Sequence, residues 1–159
     1  DRQRAGRTES AGMNIRPAFS DDCPALAAID AVSNPSPWSV KQFASALAQS
    51  TDKLWVCETD GVIGGFIVWQ DILDESELHL IATAPEYRRQ GIAAALLEHW
   101  FCHAQTADIT RLLLEVRAGN AAAQSLYLKY GFTEVGIRKH YYSLPEGGHE
   151  DAVLMEKPC

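Results

Sequence analysis

The sequence predicts one α/β (α+β) domain of seven strands and four helices, in the order β-α-α-β-β-β-α-β-α-β-β. Three observations predict it. The 159 residues match one average domain, large enough to bury a core without disulfide staples. Apolar residues make up 47% and charged residues 22%, a globular balance that excludes a disordered or coiled-coil chain. Finally, β-rich runs and amphipathic helical runs alternate, with turn residues between them.

Residues 14–18 read as a short strand. Ser20, followed by Asp21 and Asp22, offers an N-cap and first-turn acids for a helix ending near Val32. Pro35 and Pro37 break it, and a second helix starts near Ser39 with Val40, Phe43, Ala44 and Leu47 along one face. Runs 53–59 and 62–70 flank Asp60-Gly61, a dipeptide that favours a tight type I′ hairpin. Residues 77–83 form a third strand between an acidic turn and Pro85. A helix over 91–104 turns Ile92, Leu96 and Trp100 inward, and 111–116 is a buried strand. A helix over 121–130 stops at Gly131, and strands near 132–140 and 151–156 complete the chain.

Residues 1–12 are polar, with three arginines before Met13, and are expected to be a non-native or disordered extension to a single domain over 13–159. The formal net charge of −7 disfavours direct nucleic-acid binding and favours a basic partner. Cys23, Cys57, Cys102 and Cys159 are too scattered for a zinc ribbon or a disulfide framework, so reduced thiols in the cytoplasm are expected. The apolar run 62–69 is far short of the roughly 20 residues of a membrane helix. His99 and His103 have helical metal-pair spacing but no third ligand, and no metal is expected.

Chemistry concentrates between a strand and a helix, at Arg88-Arg89-Gln90-Gly91-Ile92-Ala93. Backbone N–H groups at a helix start lack intrahelical partners and carry the positive end of the macrodipole, so they bind anions. Small side chains at Gly91 and Ala93 admit a diphosphate, and two arginines offset its charge. The bland alternative is a basic turn before an ordinary helix.

Arg-x-x-Gly-x-Ala after a strand resembles the coenzyme A loop of the GCN5-related N-acetyltransferase superfamily. Arg117, Asn120, Ala123, Leu126, Tyr127, Gly131 and Phe132 repeat a second motif of that superfamily, about 25 residues further on. The resemblance implies a mixed, mostly antiparallel central sheet flanked by four helices, and acetyl-CoA as cosubstrate. It implies that Ile81, Ala82 and Thr83 offer backbone groups to the pantetheine arm. Arg89, Gln90, Gly91, Ile92, Ala93 and Ala94 would cradle the pyrophosphate beside Arg88, and Asn120 would reach the coenzyme. Ala94 departs from the polar or basic residue usual there.

Pro35-Ser36-Pro37-Trp38-Ser39, Leu114-Glu115-Val116-Arg117, Arg138-x-x-Tyr141-Tyr142 and Glu150-Asp151-Ala152 narrow the resemblance. They are similar to the bacterial ribosomal-protein-alanine N-acetyltransferases. That family implies direct transfer to the N-terminal alanine of a small-subunit ribosomal protein, with Glu115 as general base and Tyr127 as general acid. Trp38, Tyr141 and Tyr142 would hold the peptide, and Asn34 departs from a bulky residue near the Pro-Trp pair. A monomer is expected.

Read from the residues alone, Glu115 in an apolar strand is either catalytic or paired with Arg111 or Arg117, and Tyr127 is either catalytic or core. Strand alternation suggests that only one of Tyr141 and Tyr142 lines a groove. Asp74, Glu75 and Glu77 either sit near the mouth and favour a basic tail or form only a solvated turn. An α-amine, with pKa near ~7.7 to 8.0, is about a tenth neutral at pH 7, whereas a lysine near ~10.4 is neutral in well under a thousandth, a difference of roughly 3 to 4 kcal/mol. A phenol near ~10 is a weaker acid than a thiol near ~8.5, so Tyr127 is read as a hydrogen-bond donor to a departing thiolate. The open alternatives are an acetyltransferase acting on a small amine or lysine, and a non-catalytic acyl-CoA sensor.

Overall fold

A computed structural model describes residues 12–159. The expectation for residues 1–12 falls, except at Gly12, outside the described residues. The elements are β1 (Met13–Pro17), α1 (Cys23–Ala31), α2 (Val40–Leu47), β2 (Asp52–Thr59), β3 (Val62–Ile72), β4 (Glu75–Thr83), α3 (Ile92–Thr106), β5 (Arg111–Arg117), α4 (Ala121–Lys129), β6 (Thr133–Ser143) and β7 (His149–Pro158). One sheet runs in the order β1-β2-β3-β4-β5-β7-β6. Every neighbouring pair is antiparallel except β4 with β5, which are parallel. The sheet is therefore mixed and mostly antiparallel, with four helices around it.

Each face of the sheet carries a core. Ile67, Trp69, Leu112 and Leu114 pack with Ile92, Leu96 and Trp100 of α3, while Val56, Phe66 and Val68 pack with Leu26 of α1 and Phe43 of α2. Trp100 also donates its Nε1–H to the buried Ser76 hydroxyl at 2.8 Å, tying α3 to β4. Residues Asp60 and Gly61 both take positive φ at the hairpin turn between β2 and β3.

Helix α1 begins later than the Ser20 reading predicts. Ser20–Asp22 form a 3-10 turn, because the Asp22 carboxylate accepts from the Phe19 N–H and pairs with Arg16 at 2.8 Å. Pro24, which has no N–H to satisfy, then opens the α-helix. Helix α2 is closed by a reciprocal cap, with Gln42 N–H donating to Ser39 Oγ and Ser39 N–H donating to Gln42 Oε1. Its buried face is Phe43 and Ala46, while Val40 and Ala44 are exposed, so the predicted stripe is rotated.

The loop between α1 and α2 hangs on one buried acid. Asp30 accepts from the Asn34 side chain at 2.5 Å and from the Trp38 N–H at 2.8 Å. Asn34, the departure noted above, thus clips the loop to the domain. His99 and His103 are half-buried. The His99 ring packs on Trp55 at 4.1 Å, and His103 Nε2 lies 2.8 Å from Asp71 Oδ2. No group of three metal-ligating side chains exists among the described residues, nor any helix long and apolar enough to cross a membrane.

Candidate active site

Strands β4 and β5 are paired only from Glu75 opposite Arg111 to Leu78 opposite Leu114. There the two strands part. The cause lies in β4, where Trp69 faces Leu78 and the next residue of β3, Val68, faces Leu80, leaving His79 as an extra residue. Past that bulge, residues 80–83 keep β3 as partner and residues 115–117 keep β7, but the two facing edges have no strand between them. Backbone groups on these edges are left to a ligand.

The gap opens on a cleft of about 1150 Å³. Ile81, Ala82 and Thr83 form one edge and Glu115 with Arg117 the other, while Arg88, Arg89, Gly91, Ile92, Ala93 and Ala94 lie at one end. Asn120 and Tyr127 contribute from the cap and body of α4, and Trp38, Tyr141 and Tyr142 line the cleft as well. Gln90 does not line the cleft. Leu126, Asn34, Pro35 and Ser36, which the sequence motifs include, line it as well, and so do Ser33, His79 and Leu80, which sequence reasoning missed. A strand bulge has no composition signal that would have found His79. Glu77 also lines the cleft, but Glu75 pairs with Arg111 and Asp74 binds Thr110, at the closed end of the β4–β5 seam. The expected acidic mouth is therefore Glu77 alone. A second hollow, of about 470 Å³ beside α2, shares only Trp38 with this cleft.

The anion-binding end is built by backbone. Gly91 is the N-cap of α3 with φ +83°, and Arg89 has φ +65°. A Cβ on Gly91 would meet nothing within 4 Å, so its backbone conformation, not crowding within the protein, calls for glycine. Unlike α2 and α4, helix α3 has no side-chain cap. Its first N–H groups are left for an anion, and Arg88 and Arg89 are exposed beside them. A diphosphate fits this donor set. Asn120 caps α4 instead, its Oδ1 accepting from Ala123 N–H at 3.1 Å, which leaves its amide nitrogen as the group able to donate into the cleft.

Glu115 is not paired with Arg111 or Arg117. Those arginines bind Glu75 with Glu156, and Glu150, respectively, while Arg138 of β6 places its Nε 3.2 Å from Glu115 Oε2. Burial pushes the Glu115 carboxyl above its usual range, Arg138 opposes this, Glu77 adds to it and His79 counters it. Tyr127 is 5% exposed, with its ring on Phe132, and burial pushes its phenol up to about 12. Tyr142 is likewise pushed up to about 12, by burial first and then by Glu115.

Both Tyr141 and Tyr142 line the cleft, against the alternation argument, with ring centroids 5.1 Å apart. The alternation fails because β6 bulges: Arg138 faces Ala152 and Tyr142 faces Glu150, so residues 139–141 stand opposite Asp151 alone. His140 takes φ +55° there, and its N–H donates to Asp151 Oδ1 at 2.9 Å.

The sequence profile of the acetyltransferase (GNAT) family matches residues 23–132. The [ribosomal protein bS18]-alanine N-acetyltransferase of Escherichia coli (strain K12) is 40% identical over 137 residues, 86% of this chain and 91% of that protein. A putative enzyme of the same description from Bacillus subtilis (strain 168) is 35% identical over 94% of this chain and 95% of its own. The crystal structure of the ribosomal-protein-S18-alanine N-acetyltransferase from Escherichia coli superposes with a TM-score of 0.85 at 38% identity, covering 92% of this chain and 93% of that one.

Proposed function

Because the chain belongs to the acetyltransferase (GNAT) family, we propose that it moves the acetyl group of acetyl-CoA onto the N-terminal alanine of ribosomal protein bS18, in the cytoplasm and as a monomer. One observation carries the reading. The parted strands β4 and β5 open a single cleft that holds an anion-binding helix start, a half-buried carboxylate and a buried phenol. The identity of 40% to a relative named for that reaction selects the peptide among amine substrates.

Acetyl-CoA supplies the acyl group as a thioester. The α3 start and Arg88 and Arg89 hold its diphosphate, and the open edge of Ile81, Ala82 and Thr83 aligns its arm with the gap. Trp38, Tyr141 and Tyr142 border the peptide's path to Glu115. Glu115 accepts the amine proton, a task that its raised pKa suits better than an ordinary glutamate's would. With its phenol near 12 against a thiol near ~8.5, Tyr127 would surrender its proton at a cost of roughly 5 kcal/mol. It therefore donates a hydrogen bond to the departing sulfur and keeps its proton.

Tyr127→Phe is expected to lower kcat about tenfold or somewhat more, with the melting temperature nearly unchanged. Unchanged turnover would remove Tyr127 from the chemistry. The substrate assignment is tested by mass spectrometry after incubation with acetyl-CoA and two peptides, one with a free N-terminal alanine and no lysine, the other N-blocked with one lysine. Acetylation of the first alone is the expected result. Acetylation of the lysine alone, or of neither peptide, would overturn the assignment.

A further inference from the structure

We propose that Arg138 is a positioning residue of the transfer reaction: it holds the Glu115 carboxylate ionised and fixed in the cleft, and the clamped bulge of β6 lays Tyr141 against its guanidinium to keep it there. The proposal rests on Glu115 being the base.

Arg138 stands on an edge strand, yet its guanidinium is doubly located. Its Nε is 3.2 Å from Glu115 Oε2, and its Cζ lies 5.1 Å from the centroid of the Tyr141 ring. The first contact comes from the regular ladder, in which Arg138 faces Ala152 two places on from Gly136 opposite Leu154, the β7 partner of Glu115; the second depends on the bulge. A regular β6 would alternate Lys139, His140 and Tyr141 across the sheet. The observed strand folds those three residues opposite Asp151, whose carboxylate holds the His140 N–H. The adjacent Glu150 performs the matching task on the other wall, accepting from Gly119 N–H at 2.6 Å and pairing with Arg117 at 3.5 Å. The Glu-Asp pair of β7 thus sets both the turn before α4 and the bulge that lays Tyr141 on Arg138.

The site needs such a cation. Glu115 is largely enclosed, with side-chain exposure of 16%, and enclosure favours the protonated carboxyl, which cannot accept a proton. Glu77 on β4 pushes the same way. Among the other groups facing Glu115, His79 on β4 lies beside Glu77 at 3.8 Å, and Tyr142 on β6, its phenol pushed up to about 12, is neutral across the physiological range. Arg117, on β5 itself, is engaged with Glu150. A guanidinium stays charged at every working pH, so Arg138 is the fixed opposing charge.

The test is the ratio of Arg138→Gln to wild-type kcat/KM on an N-terminal-alanine peptide between about pH 5 and 9, a ratio in which the titration of the amine cancels. Loss of the cation raises the Glu115 pKa, so the acid limb moves up by about one pH unit. The ratio should fall about tenfold from its alkaline plateau to its acid end, with the KM for acetyl-CoA unchanged. Arg138→Lys should restore most of the loss, and Asp151→Ala should shift the limb in the same direction. A ratio flat with pH, or a failure of lysine to restore it, overturns the proposal. An unshifted limb in Asp151→Ala overturns the clamp. Glu115→Gln separates the two readings. If that variant retains full turnover, the base assignment fails. If it abolishes the acid limb while the Arg138→Gln ratio stays flat, only the role of Arg138 fails.

Discussion

Glu115→Gln is expected to reduce kcat/KM on a free N-terminal alanine by between about a hundredfold and ten thousandfold, the span of a positioned general base. The amide keeps the shape of the side chain, and Arg138, which is 54% exposed, remains solvated without its ionic partner. The loss therefore reads as lost proton transfer and not as a collapsed cleft. Circular dichroism and the melting temperature should match wild type, and the KM for acetyl-CoA should hold, because Glu115 lies on the β5 side of the gap, away from the start of α3. In wild type the raised pKa means that activity dies away on acidification earlier than an ordinary glutamate would allow. The variant should lose that part of the pH dependence. A variant within threefold of wild type would leave the reaction without a base in this cleft.

Gly65→Ala is expected to be the more damaging change to the fold. A Cβ at this position would stand 2.7 Å from Ile92 Cγ2 and 2.9 Å from the Ala82 carbonyl oxygen. The carbonyl belongs to the β3–β4 ladder and cannot give way, so the first residue of α3 must move. Overpacking of this kind costs roughly 1 to 3 kcal/mol, a fall in Tm of about 3 to 10 °C for a domain of this size. The displaced residue is part of the anion-binding end, so the KM for acetyl-CoA should rise as well. A stable variant with normal coenzyme affinity would show that the start of α3 tolerates displacement.

Local signals in the sequence carried most of the fold. Asp60-Gly61 marked the hairpin, the Ile92, Leu96 and Trp100 stripe marked α3, and all eleven elements lie within a few residues of their expected positions. The failures share one cause, a long-range contact overriding a local preference. Ser20 lost its capping position because Asp22 is drawn to Arg16 and to the Phe19 N–H. Glu115 found its arginine on β6, 23 residues ahead, not among its strand neighbours. Tyr141 and Tyr142 share a side because Asp151 holds a bulge that alternation does not foresee. The His79 bulge, which opens the cleft, has no trace in residue type, since its origin is a register mismatch between two strands.

The parallel seam from Glu75 to Leu78 is a brief joint between two antiparallel blocks, β1 to β4 on one side and β5, β7 and β6 on the other. Each block keeps its own ladder, so the sheet resembles two boards sharing a short hinge edge, and thermal opening should begin at the free end of that hinge. A coenzyme lying in the gap acts as a dowel across it. Ligand present at a hundred times its dissociation constant adds about 2.7 kcal/mol to the folded state, and here that gain is concentrated on the joint that the backbone leaves weakest.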